Sequence, residues 1–162
     1  MKNIVLTRID DRLIHGQVVT SWVKQTGGNK IVVIDDALTK DIFMQKILKA
    51  AAPPDVKVEV MTVSGAAEYL NADPEANEKV IILVKVPQTL ESLIAEGVSL
   101  QKIILGGMGA KEGREKFNRN VSASADEIDS MKRMIKNGTD MYFQLVPTEA
   151  VVDVKKLLHL QG

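Results

Sequence analysis

Residues Ile4–Gly28 read IVLTRIDDRLIHGQVVTSWVKQTGG, and the reading of this stretch decides how the remainder is organised. Ile4-Val5-Leu6 is an apolar run that leads a strand ending near Asp10. From Gly16 to about Gln25 the spacing predicts a helix, because Val18, Val19, Trp22 and Val23 share one face. Gly27-Gly28 stops it. Its β-branched residues make it a poor helix in isolation, so packing on a sheet must hold it. Trp22 belongs to that apolar face and reads as a core anchor.

Between strand and helix lies a charged loop within Thr7–Gln17, TRIDDRLIHGQ. It holds Arg8 and Arg12, the adjacent carboxylates Asp10 and Asp11, and His15, one of only two histidines in the chain. Imidazole is a good nucleophile near neutral pH. Guanidinium groups bind planar oxyanions through paired donors. A helix N-terminus adds unpaired backbone N–H groups and a positive dipole end. Together these residue types suggest phosphate chemistry. Taken alone, such a loop also reads as a surface turn with scattered charges, and the rest of the chain has to decide.

Lys30–Asp35 (KIVVID) and Lys79–Val84 (KVIILV) are short continuous apolar runs, as expected of strands covered on both faces. Val56–Met61 alternates and suggests a strand nearer an edge. Lys102–Leu105 is a fifth strand running into the loop GGMGAKEGREKFNRN, with Asn120–Ala123 a short strand and Tyr142–Val146 the last. Between them, a helix capped by Thr39 is expected to bury Ile42, Phe43, Ile47, Leu48 and Ala51 and to end at Pro53-Pro54. A short helix covers Ser64–Asn71. Another starts at Pro87, carries Leu90, Leu93 and Ile94, and stops at Gly97. Ser124 and Glu127 form a capping box ahead of Ile128, Met131 and Ile135. Thr148 opens a final helix with Val151, Val154, Leu157 and Leu158. This alternation predicts an α/β fold with an open, mainly parallel, doubly wound sheet and helices on both faces. Ligand sites in such folds gather at the carboxyl ends of the strands, which is where Thr7–Gln17 lies.

Composition narrows the function classes. A chain of 162 residues suits one ordinary domain. Twenty-one basic and twenty-one acidic side chains cancel, so no overall charge advertises nucleic acid or anionic lipid as partner. The absence of cysteine excludes disulfides and thiol chemistry and fits a reducing compartment. The first apolar run breaks at Arg8, unlike a signal peptide, and no stretch approaches the roughly 20 apolar residues of a membrane span. The expectation is a soluble, single-domain, intracellular protein.

Other constellations in the chain fit known sites less well. Asp10, Asp11, Asp35 and Asp36 sit at strand ends and suggest a magnesium site or a two-component receiver. A receiver needs an aspartate closing its third strand, where this chain has Val58-Glu59-Val60-Met61. Asp35-Asp36 serve equally well as caps of the next turn. GGMGAKEGR lacks the ending of a Walker A loop, and the first strand leads to no glycine triad, so nucleotide fingerprints fail. His159 falls in the last turn of the expected final helix and reads as structural.

RIDDRLIHGQV closely resembles the phosphorylation-site stretch of IIB components in the mannose–fructose–sorbose class of the bacterial sugar phosphotransferase system. Trp22, VIDD after the second strand, the Ala51-Ala52-Pro53 break, the central GG and the closing QLVP extend the match over essentially the whole chain, 1–162. The resemblance implies a sheet of about seven strands. It implies that His15 takes a phosphoryl group, through Nδ1, from a phosphohistidine of a IIA protein. The group then passes to a sugar held by the membrane IIC–IID pair. On this reading Arg8 and Arg12 stabilise charge on the transferring group, and Gly16 and Gln17 offer backbone N–H donors. Asp10 or Asp11 orients an arginine or the imidazole. No cofactor or metal is required, because the donor is already a phosphohistidine. The expected location is the cytoplasm, at the inner face of the membrane through IIC and IID, with no IIA domain attached. The sugar stays open among mannose, fructose, sorbose and N-acetylgalactosamine, and a homo-oligomer is compatible. The alternative is a non-catalytic regulatory module of similar topology.

Overall fold

A computed structural model describes residues 1–160. Its centre is a seven-stranded sheet in the order β3-β2-β4-β1-β5-β8-β9. The strands are β1 (Ile4–Asp10), β2 (Lys30–Ile34), β3 (Lys57–Met61), β4 (Val80–Val84), β5 (Lys102–Gly107), β8 (Asp140–Phe143) and β9 (Val152–Asp153). All pairings are parallel except β8 with β9. The apolar runs KIVVI and VIILV are buried along their whole length, as strands sandwiched between helical layers must be. The alternating run Val56–Met61 supplies the edge strand β3, Lys57–Met61.

Two apolar layers flank the sheet. On one face, α1 (Gly16–Thr26) and α2 (Ile42–Ala51) pack through Val19, Trp22 and Leu48 onto Leu6, Ile31, Val33, Leu83 and Ile104. The other face carries α3 (Val63–Asn71), α4 (Pro87–Ala95), α5 (Ala125–Lys136) and α6 (Val154–Leu157). The Ser124–Glu127 capping box forms as the sequence predicts, and Pro87 heads α4. Thr62 caps α3 by accepting from Gly65 N–H.

Four elements depart from the sequence reading. Helix α2 is capped by Asp41, whose Oδ1 accepts from Met44 N–H, whereas Thr39 lies in a 3₁₀ turn at Leu38–Lys40. The helix packs Met44 and Leu48 toward the core and leaves Ile42, Phe43, Ile47 and Ala51 exposed rather than buried. A segment apolar on several sides admits more than one buried stripe, and packing against the sheet selects Met44 and Leu48. The loop after β5 holds a hairpin of β6 (Glu115–Asn118) and β7 (Val121–Ala123), with Asn120 in the left-handed region at φ 62°. The strand at Asp140–Phe143 ends earlier than Val146. Gln144 Nε2 then donates to the Pro147 and Glu149 carbonyls and turns the chain back. Residues 152–153 therefore add a strand, and the last helix starts at Val154 under an Asp153 cap rather than at Thr148. His159 stands exposed beyond that helix at φ 56°.

Candidate functional site

Strand β1 delivers its residues alternately to the two faces, and this sorting builds the site. Ile9 goes into the larger core, while Arg8 and Asp10 turn to the α1 face, and both are fully buried. A buried guanidinium needs partners on all sides. Arg8 Nη1 donates to the Gln144 carbonyl at 2.8 Å, Nη2 faces Asp10 Oδ2 at 3.4 Å, and the group lies 5.3 Å from the Trp22 ring. Burial pulls its pKa below the ordinary arginine value, with Asp10 opposing the fall. Gly106 on β5 makes room, since a Cβ there would overlap the guanidinium. Trp22, expected as a core anchor, is one, and its Nε1 also donates to the Leu145 carbonyl at 2.9 Å.

Asp10 is the hub. Its Oδ2 lies 2.9 Å from His15 Nε2, and its Oδ1 accepts from Arg12 N–H at 3.1 Å. A carboxylate has no proton to give, so Nε2 is the donor and carries the ring proton. The lone pair of a neutral His15 is therefore on Nδ1. Arg12 also stands beside Asp10, with Nε 3.5 Å from Oδ1, yet its side chain is 54% exposed. His15 is 21% exposed.

The loop is bent to hold this arrangement. Leu13 adopts a left-handed φ of 56°, costly for a branched side chain at about 1–2 kcal/mol. Burial of Leu13 and Ile14 in the α1-side core holds the bend in place. His15 occupies the N-cap position of α1, but its ring is turned to Asp10 and makes no capping bond. The first N–H groups of the helix, at Gly16 and Gln17, thus receive no side-chain acceptor and suit an anion.

Asp11 does different work from Asp10. Its Oδ2 accepts from Gly109 N–H at 2.7 Å and from Arg114 Nη1 at 3.1 Å. Arg114, a residue the sequence reading passed over, is in turn held by a two-bond fork to Glu127 at 2.9 and 2.7 Å. Its pKa is raised by that hydrogen-bonded carboxylate. The same Glu127 accepts from Ser124 N–H in the capping box. The histidine loop is thereby tied through Arg114 to the first turn of α5. No local pattern announces this, because the partners come from three separate segments.

The other sequence candidates lie elsewhere. Strand β4 stands between β1 and β2, so Asp35 and Asp36 do not join Asp10 and Asp11. Asp35 accepts from Leu38 N–H and Asp36 from Val63 N–H. Among the described residues, no group of three or more His, Cys, Asp or Glu side chains converges. A cleft of about 470 Å³ opens beside the loop, lined by Asp11, Arg12, Lys116, Asn118, Asn120 and Ser122. A larger one of about 780 Å³ runs beside β1 and touches neither His15 nor Arg12, so size does not mark the site.

Residues 4–162 match the family model described as PTS system sorbose subfamily IIB component. The chain is 34% identical over 151 residues to the PTS system sorbose-specific EIIB component of Lacticaseibacillus casei, covering 93% of this chain and 92% of that one. It is 33% identical over 155 residues to the PTS system mannose-specific EIIAB component of Escherichia coli (strain K12), covering 96% of this chain and 48% of that one. Among solved structures, the IIBSor domain of the sorbose permease from Klebsiella pneumoniae superposes with a TM-score of 0.90 at 28% identity, covering 97% of this chain and 96% of that one.

Proposed function

The chain belongs to the sorbose subfamily of phosphotransferase-system IIB components, and on that premise we propose that it is a phosphocarrier in which His15 is the carrier. The observation that supports this reading best is the His15–Asp10 pair. A partly exposed imidazole with Nε2–H committed to a buried carboxylate keeps its free lone pair on Nδ1. Nδ1 attacks the phosphorus of a phosphohistidine on a IIA protein, the P–N bond of the donor breaks, and a new P–N bond forms at His15. With Nε2 still protonated, the phosphorylated ring carries positive charge, which Asp10 compensates. A sugar hydroxyl held by IIC and IID then displaces the ring, and the hydroxyl proton leaves to water as the sugar phosphate forms. The E. coli relative, an EIIAB chain about twice as long, supports a IIA partner.

Arg12 and the Gly16 and Gln17 N–H groups stabilise the transferring phosphoryl group, as positioning and electrostatics are what a protein contributes to such transfer. Arg8 is buried, so its role is to hold Asp10 rather than touch phosphate. Asp10 orients the imidazole, and Asp11 fixes the loop. The protein works on the cytoplasmic side, where IIA and the membrane pair alternate at the same histidine. Relatives named for sorbose and for mannose leave the sugar open.

The test is phosphoryl transfer from phosphoenolpyruvate through the general carrier proteins and a cognate IIA. Acid-labile, base-stable label is expected on the wild type and none on His15→Ala. Label persisting on the variant removes His15 from the mechanism. No label on either, with an active IIA, favours a docking module.

A further inference from the structure

Helix α2 has two apolar surfaces, and the fold uses one. Met44 and Leu48 pack on the α1-side core, whereas Ile42, Phe43 and Ile47 are 68%, 72% and 43% exposed. Lys46 lies about one turn from Ile42 and Phe43 on that outward side, Lys49 follows, and Lys40 precedes the helix; all three lysines are exposed. The helix Ile42–Ala51 contains no Asp or Glu, and the Asp41 before it caps Met44 N–H. Because the chain as a whole carries equal numbers of basic and acidic side chains, this run of cations is local. Both α2 and the His15-led α1 begin at the carboxyl edge of the sheet and lie on one face.

We propose that α2 is an interfacial helix that sets Ile42, Phe43 and Ile47 into an anionic lipid surface, with Lys40, Lys46 and Lys49 on acidic headgroups. Charge favours lipid over a protein partner, since Lys40, Lys46 and Lys49 are exposed and Ile42–Ala51 holds no carboxylate to offset them. Lysine is depleted from the cores of protein–protein interfaces, whereas at a lipid surface its stem lies along apolar neighbours while the ammonium reaches the headgroups. Three apolar side chains make a weak, reversible attachment. Reversibility suits a carrier that must meet a IIA protein and a membrane transporter in turn. That purpose rests on the proposed function, while the lipid contact itself does not.

The experiment is flotation of the full chain with vesicles of phosphatidylglycerol and phosphatidylcholine, against phosphatidylcholine alone. The wild type floats with the anionic vesicles only, and added salt weakens it. Phe43→Ser and the double variant Lys46→Glu/Lys49→Glu each lower the bound fraction by about tenfold or more, with unchanged melting temperature because the side chains are exposed. Since Trp22 is the sole tryptophan and is buried, Phe43→Trp adds an indole whose emission shifts to the blue on vesicles. Failure to float with anionic vesicles, or flotation that the substitutions leave intact, overturns the proposal. If Phe43→Ser instead spares transfer from IIA but slows sugar phosphorylation by transporter-bearing membranes, without vesicle binding by the wild type, the face belongs to a protein partner and the lipid reading falls. Phosphoryl acceptance from IIA in solution is read separately, so a failed carrier function and a failed lipid contact are distinguishable.

Discussion

Asp10→Asn changes one buried oxygen for an amide NH₂ and almost nothing in shape. In the wild type, Oδ1 accepts from Arg12 N–H, and Oδ2 faces both His15 Nε2 and Arg8 Nη2. An asparagine that keeps its carbonyl on Arg12 N–H turns its own N–H toward two donors. Flipping the amide moves the conflict onto Arg12 N–H. His15 escapes by shifting its proton to Nδ1, and the attacking nitrogen then has no lone pair. Single-turnover transfer from phosphorylated IIA, followed by rapid quench, should slow by about 10²–10⁴-fold. Arg8 also loses its carboxylate. Removing one partner of a buried ion pair costs about 3–5 kcal/mol, and because the Gln144 carbonyl and Trp22 ring remain, the low end applies. About 3 kcal/mol in a chain of this length lowers the melting temperature by about 6–12 °C. A variant that transfers at the wild-type rate with wild-type stability would refute the role given to Asp10.

Arg12→Ala removes an exposed cation, so stability should change by less than about 0.5 kcal/mol while transfer slows by about 10²-fold, with Arg12→Lys between the two; stopped transfer assays beside thermal melts decide it. Gly106→Ala pushes a methyl into the Arg8 guanidinium and should cost about 1–3 kcal/mol by denaturant titration, with a slower transfer as Asp10 shifts. Arg114→Met unties Asp11 from α5. For Glu127, burial opposes the charge, but the Arg114 fork and Ser124 outweigh it and hold its pKa below the ordinary carboxylate range. Its contribution is therefore complete above about pH 4.3 and is lost as pH falls through the depressed folded value. Melting temperature against pH should fall steeply on the acid side for the wild type and more shallowly for Arg114→Met; parallel curves would show that the fork does not set the slope.

The sheet was legible because its central strands are written twice over, as uninterrupted apolar runs and as partners of helices that cannot stand alone. KIVVI and VIILV admit hardly any other reading. Helix α2 was legible in position but not in orientation, since Ile42, Phe43, Met44, Ile47 and Leu48 surround it and which of them face the sheet is settled by tertiary packing. The segment after Val146 was misread for a related reason. Its apolar spacing fits a helix, but a local turn closed by Gln144 Nε2 on the Pro147 and Glu149 carbonyls sends it back as a strand. In the site, His15, Arg12 and Asp10 lie within six residues of one another, so local chemistry points to them. Arg114, Gln144 and Gly106 join them only through tertiary contact. The same limit blurred Arg8: sequence gives its charge, while its burial follows from which face of β1 it occupies.

The central claim is that the phosphoryl group resides on His15 Nδ1 while Nε2–H stays with Asp10. Long-range proton–nitrogen NMR on ¹⁵N-histidine-labelled protein, phosphorylated through IIA, tests it most directly. Phosphorus coupling at His15 Nδ1, with Nε2 still protonated and His159 unchanged, is the predicted result. Coupling at Nε2, or at His159, would contradict the account.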